Sequence, residues 1–529
     1  MSEENGRRSY GAMALRGLAF LILTMLAATV MVAQQRGSGA YLAEFSTLDP
    51  AEARHFVTGL MVADHAAAGF PAPSGFREAY ALHFPVAAPL GALSLFHLVE
   101  AGWIGLIGAA TPAVLLLPAL MAALLVVSAG WATARAAGPL PGLAVGFVLS
   151  ALPAVRRATM EVGLHLPLAL FALLAALAFA RYLRRGGVAD AALFALAGLG
   201  AALTAPAGAV LALVPPLGVL LAGRLRLLAR PLFWLPVILI AAFAVPALLG
   251  GEGIALPPVA ELTGGVEAAR AVFGTLPLVL AGIGVPFAAW AGWRRREGAE
   301  IMAAVAAAAL ALAALLAMGG GGDAPDGLLP LLAPLCMLAA FGALRLLGLV
   351  ISGWPTLSGL VVALVLLLAA MPALLEPMRK SAIGMDDAAQ AFLARDGAAP
   401  VLVVAADARD EAALTAAVAQ RDRAQDARAA RSFVVSAGRL PEATGAALLA
   451  ALDGIGASAL VVEATDAARA IPANRAVAAL PAAFPDRFRR VGTFPRADGK
   501  GQVEFYAITG APPPADPAAA IRRLGASAF

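Results

Sequence analysis

Residues 46–65, STLDPAEARHFVTGLMVADH, bring carboxylate and imidazole groups together in a chain with few charges. Asp49 and Glu52 are three positions apart and His55 follows, whereas charged residues make up only 14% of the 529-residue chain. A carboxylate held beside a reacting hydroxyl group can take its proton as a general base. The stretch therefore contains the groups that an acid–base site would need, with Asp49 and Glu52 as its carboxylates.

A structural role could account for the same carboxylates. Asp49 followed by Pro50, with Glu52 close behind, is typical of a helix start in which Asp49 is the N-cap and Glu52 completes a capping box. An aspartate that accepts backbone N–H bonds has a lowered pKa and is a weaker base. Glu52 is thus the better candidate for the base, and His55 should share its helix face. The apolar residues expected to face the membrane or the helical core are Phe56, Val57, Leu60 and Met61.

Further candidate groups lie between positions 55 and 165, which contain all five histidines of the chain. Arg156 and Arg157 could clamp a phosphate group, or they could extend to lipid head groups. Glu161 and His165 are four positions apart, which predicts one shared face near the outer end of a membrane span. The candidate substrate-binding residues are His55, His83, Arg156, Arg157, Glu161 and His165. Neither HExxH nor HxxxH occurs, so we predict no metal and no other cofactor.

The elements that must position these residues are membrane helices. Hydrophobic residues make up 61% of the chain, and the mean hydropathy is +0.84. A spanning helix needs roughly 20 apolar residues. This length predicts about eleven spans, near 14–33, 112–134, 139–155, 162–180, 189–205, 206–222, 231–249, 273–293, 301–318, 327–347 and 354–375. The only cysteine, Cys336, lies in an apolar run and is expected to be a buried thiol.

The distribution of positive charge predicts the orientation. With the N-terminus inside, fourteen arginines fall at cytoplasmic positions and five positive residues at outer ones. Short loops rich in arginine and lysine stay in the cytoplasm. We therefore expect the loop 34–111 and the region after residue 378 on the outer face, which in a bacterium is the periplasmic face of the inner membrane.

The C-terminal part has a different pattern. Apolar runs of strand length occur at 400–407, 431–438, 457–464 and 503–509, with helical stretches at 410–422 and 441–456. This alternation predicts a small soluble α/β domain, and the absence of a glycine-rich loop after the first strand argues against a nucleotide site. We divide the chain into a transmembrane domain, 1–378, and an α/β domain, 379–529, which is expected to carry no catalytic group.

Two segments resemble the GT-C superfamily of membrane glycosyltransferases, in particular the family 39 type that includes protein mannosyltransferases and the aminoarabinose transferase. EARHFVTGLMVADHAAAGFP (52–71) is similar to the segment that follows the aspartate of this family's Asp-Glu pair, and residues 117–183 are similar to its second to fourth spans. The chain departs from the pattern at Ala51, where the aspartate is expected, because an aspartate stands two positions earlier. The return segment GALSLF (91–96) also lacks the prolines and positive charge common in the family.

The resemblance implies a glycosyltransferase that moves a sugar from a polyprenyl-phosphate donor to a lipid, glycan or protein acceptor in cell-envelope synthesis. It also implies Glu52 and Asp49 as the candidate catalytic residues, and it draws attention to His83, which stands where the family often has a His-Tyr-Pro group. Membrane lipids are the other expected partners, and no nucleic acid is expected. The displaced aspartate leaves open an alternative, a catalytically inactive GT-C-like protein that serves as a binding or assembly subunit. A transporter is disfavoured, because the predicted spans are nearly free of ionisable residues.

Overall fold

The computed structural model describes residues 2–87, 93–249, 267, 269–317, 325–351, 354–395, 400–422, 431–510 and 516–526. The α-helices before residue 376 are α1 (Ser2–Gly37), α2 (Glu52–Ala67), α3 (Pro73–His83), α4 (Leu95–Ile107), α5 (Thr111–Ala137), α6 (Pro139–Ala151), α7 (Pro153–Thr159), α8 (His165–Arg185), α9 (Val188–Thr204), α10 (Val214–Leu221), α11 (Pro231–Leu249), α12 (Thr275–Trp293), α13 (Ala299–Ala317), α14 (Leu329–Val350) and α15 (Pro355–Leu375). Short 3-10 helices lie at Pro206–Leu213, Leu225–Ala229 and Pro325–Leu328. The return segment is described only from residue 93, so positions 91 and 92 lie outside the described residues.

The long apolar helices confirm a multi-span membrane protein, but not the predicted count. Within the described ranges, seven helices are long and apolar enough to cross a membrane, and the pair α6 and α7, bent by 62°, would make eight. The seven are α1, α5, α8, α12, α13, α14 and α15. The other three predicted spans coincide with Val188–Thr204, Pro206–Leu221 and α11, Pro231–Leu249; the first two are shorter apolar segments, and the side chains of the third are described only to Ala242. In the second of these, prolines at positions 206, 215 and 216 divide the segment into a 3-10 helix and a short α-helix.

Small residues bring the long helices into close contact. A Cβ on Gly284 of α12 would lie 2.3 Å from the Leu338 carbonyl of α14, and a Cβ on Gly342 of α14 would lie 2.3 Å from the Leu280 carbonyl of α12. Such contacts are common between membrane helices, where close backbone packing replaces the hydrophobic effect. Cys336 of α14 is buried, as predicted, with 2% of its surface exposed.

The helices from α5 to α15 form the helical body of the protein. The segment between α1 and α5 forms a layer that contacts both this helical body and the C-terminal domain. Helix α2 buries Phe56, Val57, Leu60 and Met61, as its amphipathic pattern predicts. The predicted helix start was wrong: α2 begins at Glu52, its N-cap is Ala51, and no side chain caps it. The reason is that Asp49 stands two residues before the N-cap, where its carboxylate accepts from the Ala51 N–H in the turn that precedes α2.

The C-terminal part contains a five-stranded mixed sheet with the order β2-β1-β3-β5-β4. Its strands are β1 (Val401–Ala405), β2 (Phe433–Ser436), β3 (Ala457–Glu463), β4 (Phe488–Pro495) and β5 (Gln502–Ile508). Its helices are α16 (Met385–Leu393), α17 (Ala408–Arg421), α18 (Ala446–Ile455), α19 (Asp466–Ala470), α20 (Pro472–Ala478), α21 (Leu480–Ala483) and α22 (Pro517–Ala526), besides a 3-10 turn at Ala437–Arg439. The predicted α/β architecture is confirmed. The predicted domain boundary falls in the non-helical stretch between α15 and α16, and the division itself stays a prediction.

Candidate functional site

A cavity of about 360 Å³ lies where the α2 segment meets the helical body. Its polar side chains are Asp49, His55 and His165, so it brings together three of the eight predicted site residues. Its apolar walls come from α8, the 3-10 helix at Pro206–Leu213, α13 and α14, and include Leu168, Leu312, Leu316 and Leu331. A few polar groups set in apolar walls are typical of a small-molecule site.

Asp49 keeps one carboxylate oxygen available. Its Oδ1 accepts a hydrogen bond from the Ala51 backbone N–H at 2.9 Å, which closes a tight turn just before α2. No described residue donates to Oδ2. Ala51, at the position where the GT-C resemblance leads one to expect an aspartate, lines the same cavity. The displaced aspartate therefore reaches the same space as the residue that it would replace.

His55 is bonded to a histidine that the sequence did not single out as a site residue. His55 Nδ1 lies 3.1 Å from His97 Nε2, and the two rings are stacked with centroids 5.3 Å apart. Burial is the main cause that lowers the pKa of each imidazole to about 4; the charges of Arg54 and His165 contribute at His55, and the charge of His55 contributes at His97. Both rings are therefore neutral near pH 7. The signal that could have identified His97 is Ser94 three positions earlier, a capping-box spacing.

Glu52 does not face the cavity, and the prediction that α2 presents it there was wrong. The side chain is fully buried, and its Oε1 accepts a hydrogen bond from Lys380 Nζ at 2.6 Å. Its other donors are the backbone N–H groups of Ser46 at 2.8 Å and Val162 at 3.3 Å. Burial raises the pKa of Glu52, and the Lys380 ammonium opposes that rise. A carboxylate so enclosed cannot reach a substrate hydroxyl, so its contribution is to hold α2 against the segment that leads into the sheet domain.

A second buried carboxyl group lies beside this ion pair. Both oxygens of Glu100 are buried, and neither has a hydrogen-bond partner among the described residues. Burial, and then the nearby Glu52 carboxylate, raise the Glu100 pKa well above its usual value, which favours the uncharged form of the group. It fits against α2 only because position 59 is glycine: a Cβ there would lie 2.4 Å from Glu100 Oε2.

The two arginines are bonded within the protein. Arg156 Nη1 donates to the carbonyls of Ala373 and Glu376, each at 3.0 Å, and so ties α7 to the end of α15. Arg157 donates to Glu161 Oε1 at 2.8 Å and to the Leu48 carbonyl at 2.7 Å. Through that second contact Arg157 fixes the backbone immediately before Asp49.

Two further predicted site residues lie outside the cavity. Glu161 was expected on one face of a span with His165, but α8 begins at His165, and Glu161 belongs to the preceding bend. His83 Nδ1 lies 3.1 Å from the Ser432 carbonyl, and its ring stacks on Phe433 at 4.0 Å. His83 therefore joins α3 to strand β2 of the sheet domain.

The sheet domain has an acidic group of its own. Carboxylate oxygens of Asp407, Asp410 and Glu463 lie within 4.8 Å of one another, a spacing that could hold a metal ion. Arg496 is bonded to Asp410 and lies 3.3 Å from Glu463, so a positive charge already stands among these carboxylates. Burial and the neighbouring Glu463 raise the Asp410 pKa to about 7. The prediction that this domain carries no catalytic group stays a prediction.

Solved structures of other proteins identify the fold of the chain. No protein family and no curated protein matches the sequence. The chain is similar to ArnT from Cupriavidus metallidurans in the apo state, over 93% of this chain and 98% of that chain, with a TM-score of 0.52 and 14% identity. It is also similar to the archaeal oligosaccharyltransferase AglB from Archaeoglobus fulgidus, over 95% of this chain and 75% of that chain, with a TM-score of 0.53 and 12% identity. The chain has the GT-C fold.

The GT-C fold confirms the resemblance and the fold class inferred from the sequence. ArnT is also known bound to undecaprenyl phosphate, and that structure is similar over 94% of this chain and 99% of that chain, with a TM-score of 0.52 and 15% identity. The AglB structure is a complex with an inhibitory peptide and a dolichol-phosphate. At identities this low, the structural similarity shows a shared GT-C architecture and nothing about the reaction, so the chemistry must be argued from the cavity.

Proposed function

We propose that the protein is a membrane glycosyltransferase that moves a sugar from a polyprenyl-phosphate donor to a lipid, glycan or protein acceptor at the periplasmic face of the inner membrane. The observation that carries the proposal is the cavity in which Asp49, His55 and His165 meet between apolar helices of a GT-C fold. An apolar wall suits a lipid chain, and the polar groups suit a sugar and a phosphate.

In this proposal the free Oδ2 of Asp49 accepts the proton of the acceptor hydroxyl group. The acceptor oxygen forms a bond to the anomeric carbon while the bond from that carbon to the phosphate oxygen breaks, and the bonding pair leaves with the polyprenyl phosphate. Asp49 replaces Glu52 as the proposed base, because Glu52 is fully buried and paired with Lys380. His55 and His165 are proposed to contact the phosphate.

The lipid phosphates bound by the two structural neighbours support the choice of donor. Undecaprenyl phosphate is bound by ArnT and a dolichol-phosphate by AglB. We transfer only this class of lipid to the present chain. Arg156 and Arg157, expected from the sequence to clamp the donor phosphate, are left out of the proposed contacts, because they bond backbone carbonyls and, in the case of Arg157, also Glu161.

A second candidate function is a binding or assembly subunit without catalysis. The observation that favours it is the pair Ala51 and Glu52: the first has no carboxylate and the second is buried in an ion pair. Purified protein incubated with a panel of polyprenyl-phosphate sugars and membrane-lipid acceptors separates the two. An active enzyme releases polyprenyl phosphate with multiple turnovers, whereas a subunit binds the lipid and releases none.

A further inference from the structure

His97 contacts His55, which lines the cavity, and no role was given to His97 in the reaction proposed above. Only 1% of its surface is exposed, and it occupies the first turn of α4, three residues after the N-cap Ser94. Its two ring nitrogens have different partners. Nδ1 lies 3.0 Å from both the backbone nitrogen and the hydroxyl oxygen of Ser94, and the hydroxyl group can donate to the same lone pair. Nε2 lies 3.1 Å from Nδ1 of His55.

The Ser94 contact fixes the direction of both hydrogen bonds. A backbone N–H can only donate, so His97 Nδ1 must present its lone pair. The neutral His97 ring then carries its proton on Nε2 and donates it to His55 Nδ1. By the same rule, neutral His55 carries its proton on Nε2, for which no hydrogen bond to a described residue is seen, and His55 is one of the residues that line the cavity.

From this chain of hydrogen bonds we infer that His97 is a positioning residue that holds His55 in one tautomer, so that His55 offers the cavity an N–H donor and not a base. An N–H donor stabilises negative charge as it develops on a leaving oxygen. The tautomer follows from the contacts alone. The identity of the anion, a phosphate oxygen of the leaving lipid, rests on the proposed function.

Two substitutions at position 97 separate this role from a structural one. In His97→Gln the amide oxygen can accept from Ser94 while the amide NH2 donates to His55, so both hydrogen bonds are kept. In His97→Glu the carboxylate can accept from Ser94 but cannot donate. His55 must then carry its proton on Nδ1 in order to donate a hydrogen bond to the carboxylate. Glutamine and glutamate are both common at this position of a capping box, so α4 should form in each variant.

The test is nitrogen NMR of the full-length protein with 15N-labelled histidine, in which His55→Gln assigns the signals. We expect His55 Nδ1 to be unprotonated in the wild type and in His97→Gln, and protonated in His97→Glu. A protonated Nδ1 in the wild type, or an unchanged His55 in His97→Glu, would overturn the inference.

Turnover gives a second readout. His97→Leu removes both bonds and should lower kcat about 10- to 100-fold, the effect of one charge-assisted hydrogen bond, while His97→Gln should restore it to within about 3-fold. Full activity of a folded His97→Leu protein would also overturn the inference. If the NMR result is as expected but no variant, nor the wild type, transfers sugar, the tautomer stands and the proposed function fails.

Discussion

The buried ion pair between Glu52 and Lys380 should dominate the stability of the layer between the membrane helices and the sheet domain. Both side chains are 0% exposed, and their charged atoms are 2.6 Å apart. In Glu52→Gln the amide oxygen can still accept from Lys380, but no negative charge then faces the buried ammonium, whose other acceptor is the Met160 carbonyl at 2.8 Å. Removing one member of such a pair costs about 3–5 kcal/mol, because the other charge remains buried. We expect Lys380→Met to cost a similar amount.

The double variant and a neighbouring carboxyl group provide the controls. Glu52→Gln with Lys380→Met removes both charges, so it should return to within about 2 kcal/mol of the wild type. Glu100→Gln should cost about 1 kcal/mol, since the raised pKa of Glu100 favours an uncharged side chain that an amide can replace. Thermal unfolding can be followed in detergent with a thiol-reactive dye, because Cys336 is the only cysteine and is buried. Equal unfolding temperatures for Glu52→Gln and Glu100→Gln would refute this reasoning.

Three further predictions concern stability and topology. The neutral pair His55 and His97, each with a pKa near 4 in the fold and an ordinary value near 6.5 in the unfolded chain, should make the protein less stable as the pH falls from about 6.5 to 4. As the pH falls, the imidazoles bind protons in the unfolded chain before they do so in the fold, which lowers the free energy of unfolding by on the order of 2 kcal/mol per ring at pH 5. His97→Gln should remove about half of this pH dependence when unfolding is measured at pH 5 and 7. An unchanged dependence would exclude His97 as a source. Gly59→Ala should destabilise the protein by about 1–3 kcal/mol, because the new methyl group overlaps a buried carboxyl group; a wild-type unfolding temperature would contradict that packing. Reporter fusions after Arg230 and after Lys380 should read cytoplasmic and periplasmic respectively, and the reverse result would exclude the proposed orientation.

Local patterns predicted most of the architecture. The apolar runs at 400–407 and 457–464 contain β1 and β3. The long apolar runs form helices of the length that spans a membrane. Strand β4, FRRVGTFP, was missed because it is a largely exposed edge strand that pairs only with β5 and carries two arginines. The predicted count of about eleven spans is not confirmed, and the segment 206–222 shows one reason: its prolines divide it into a 3-10 helix and a short α-helix.

Individual cavity residues could be predicted from the sequence, and Asp49, His55 and His165 are the three that were, but the partners of the buried groups could not. Asp49 and His55 were identified from one twenty-residue stretch, and the structure places both at the same cavity. The partner of Glu52 lies 328 positions away, and the partner of His55 lies 42 positions away. No periodicity links such distant residues, so the ion pair and the histidine pair depend on tertiary packing.

The measurement that tests the central proposal most directly is sugar transfer by Asp49→Asn. Asparagine can still accept the Ala51 N–H bond, so the turn before α2 should be kept while the base is lost. We predict that release of polyprenyl phosphate from the donor falls about 10²- to 10⁴-fold, as expected for a lost general base. Asp466→Asn, at an exposed position of the sheet domain, should transfer at the wild-type rate. Wild-type transfer by Asp49→Asn would contradict the proposal that this displaced aspartate activates the acceptor.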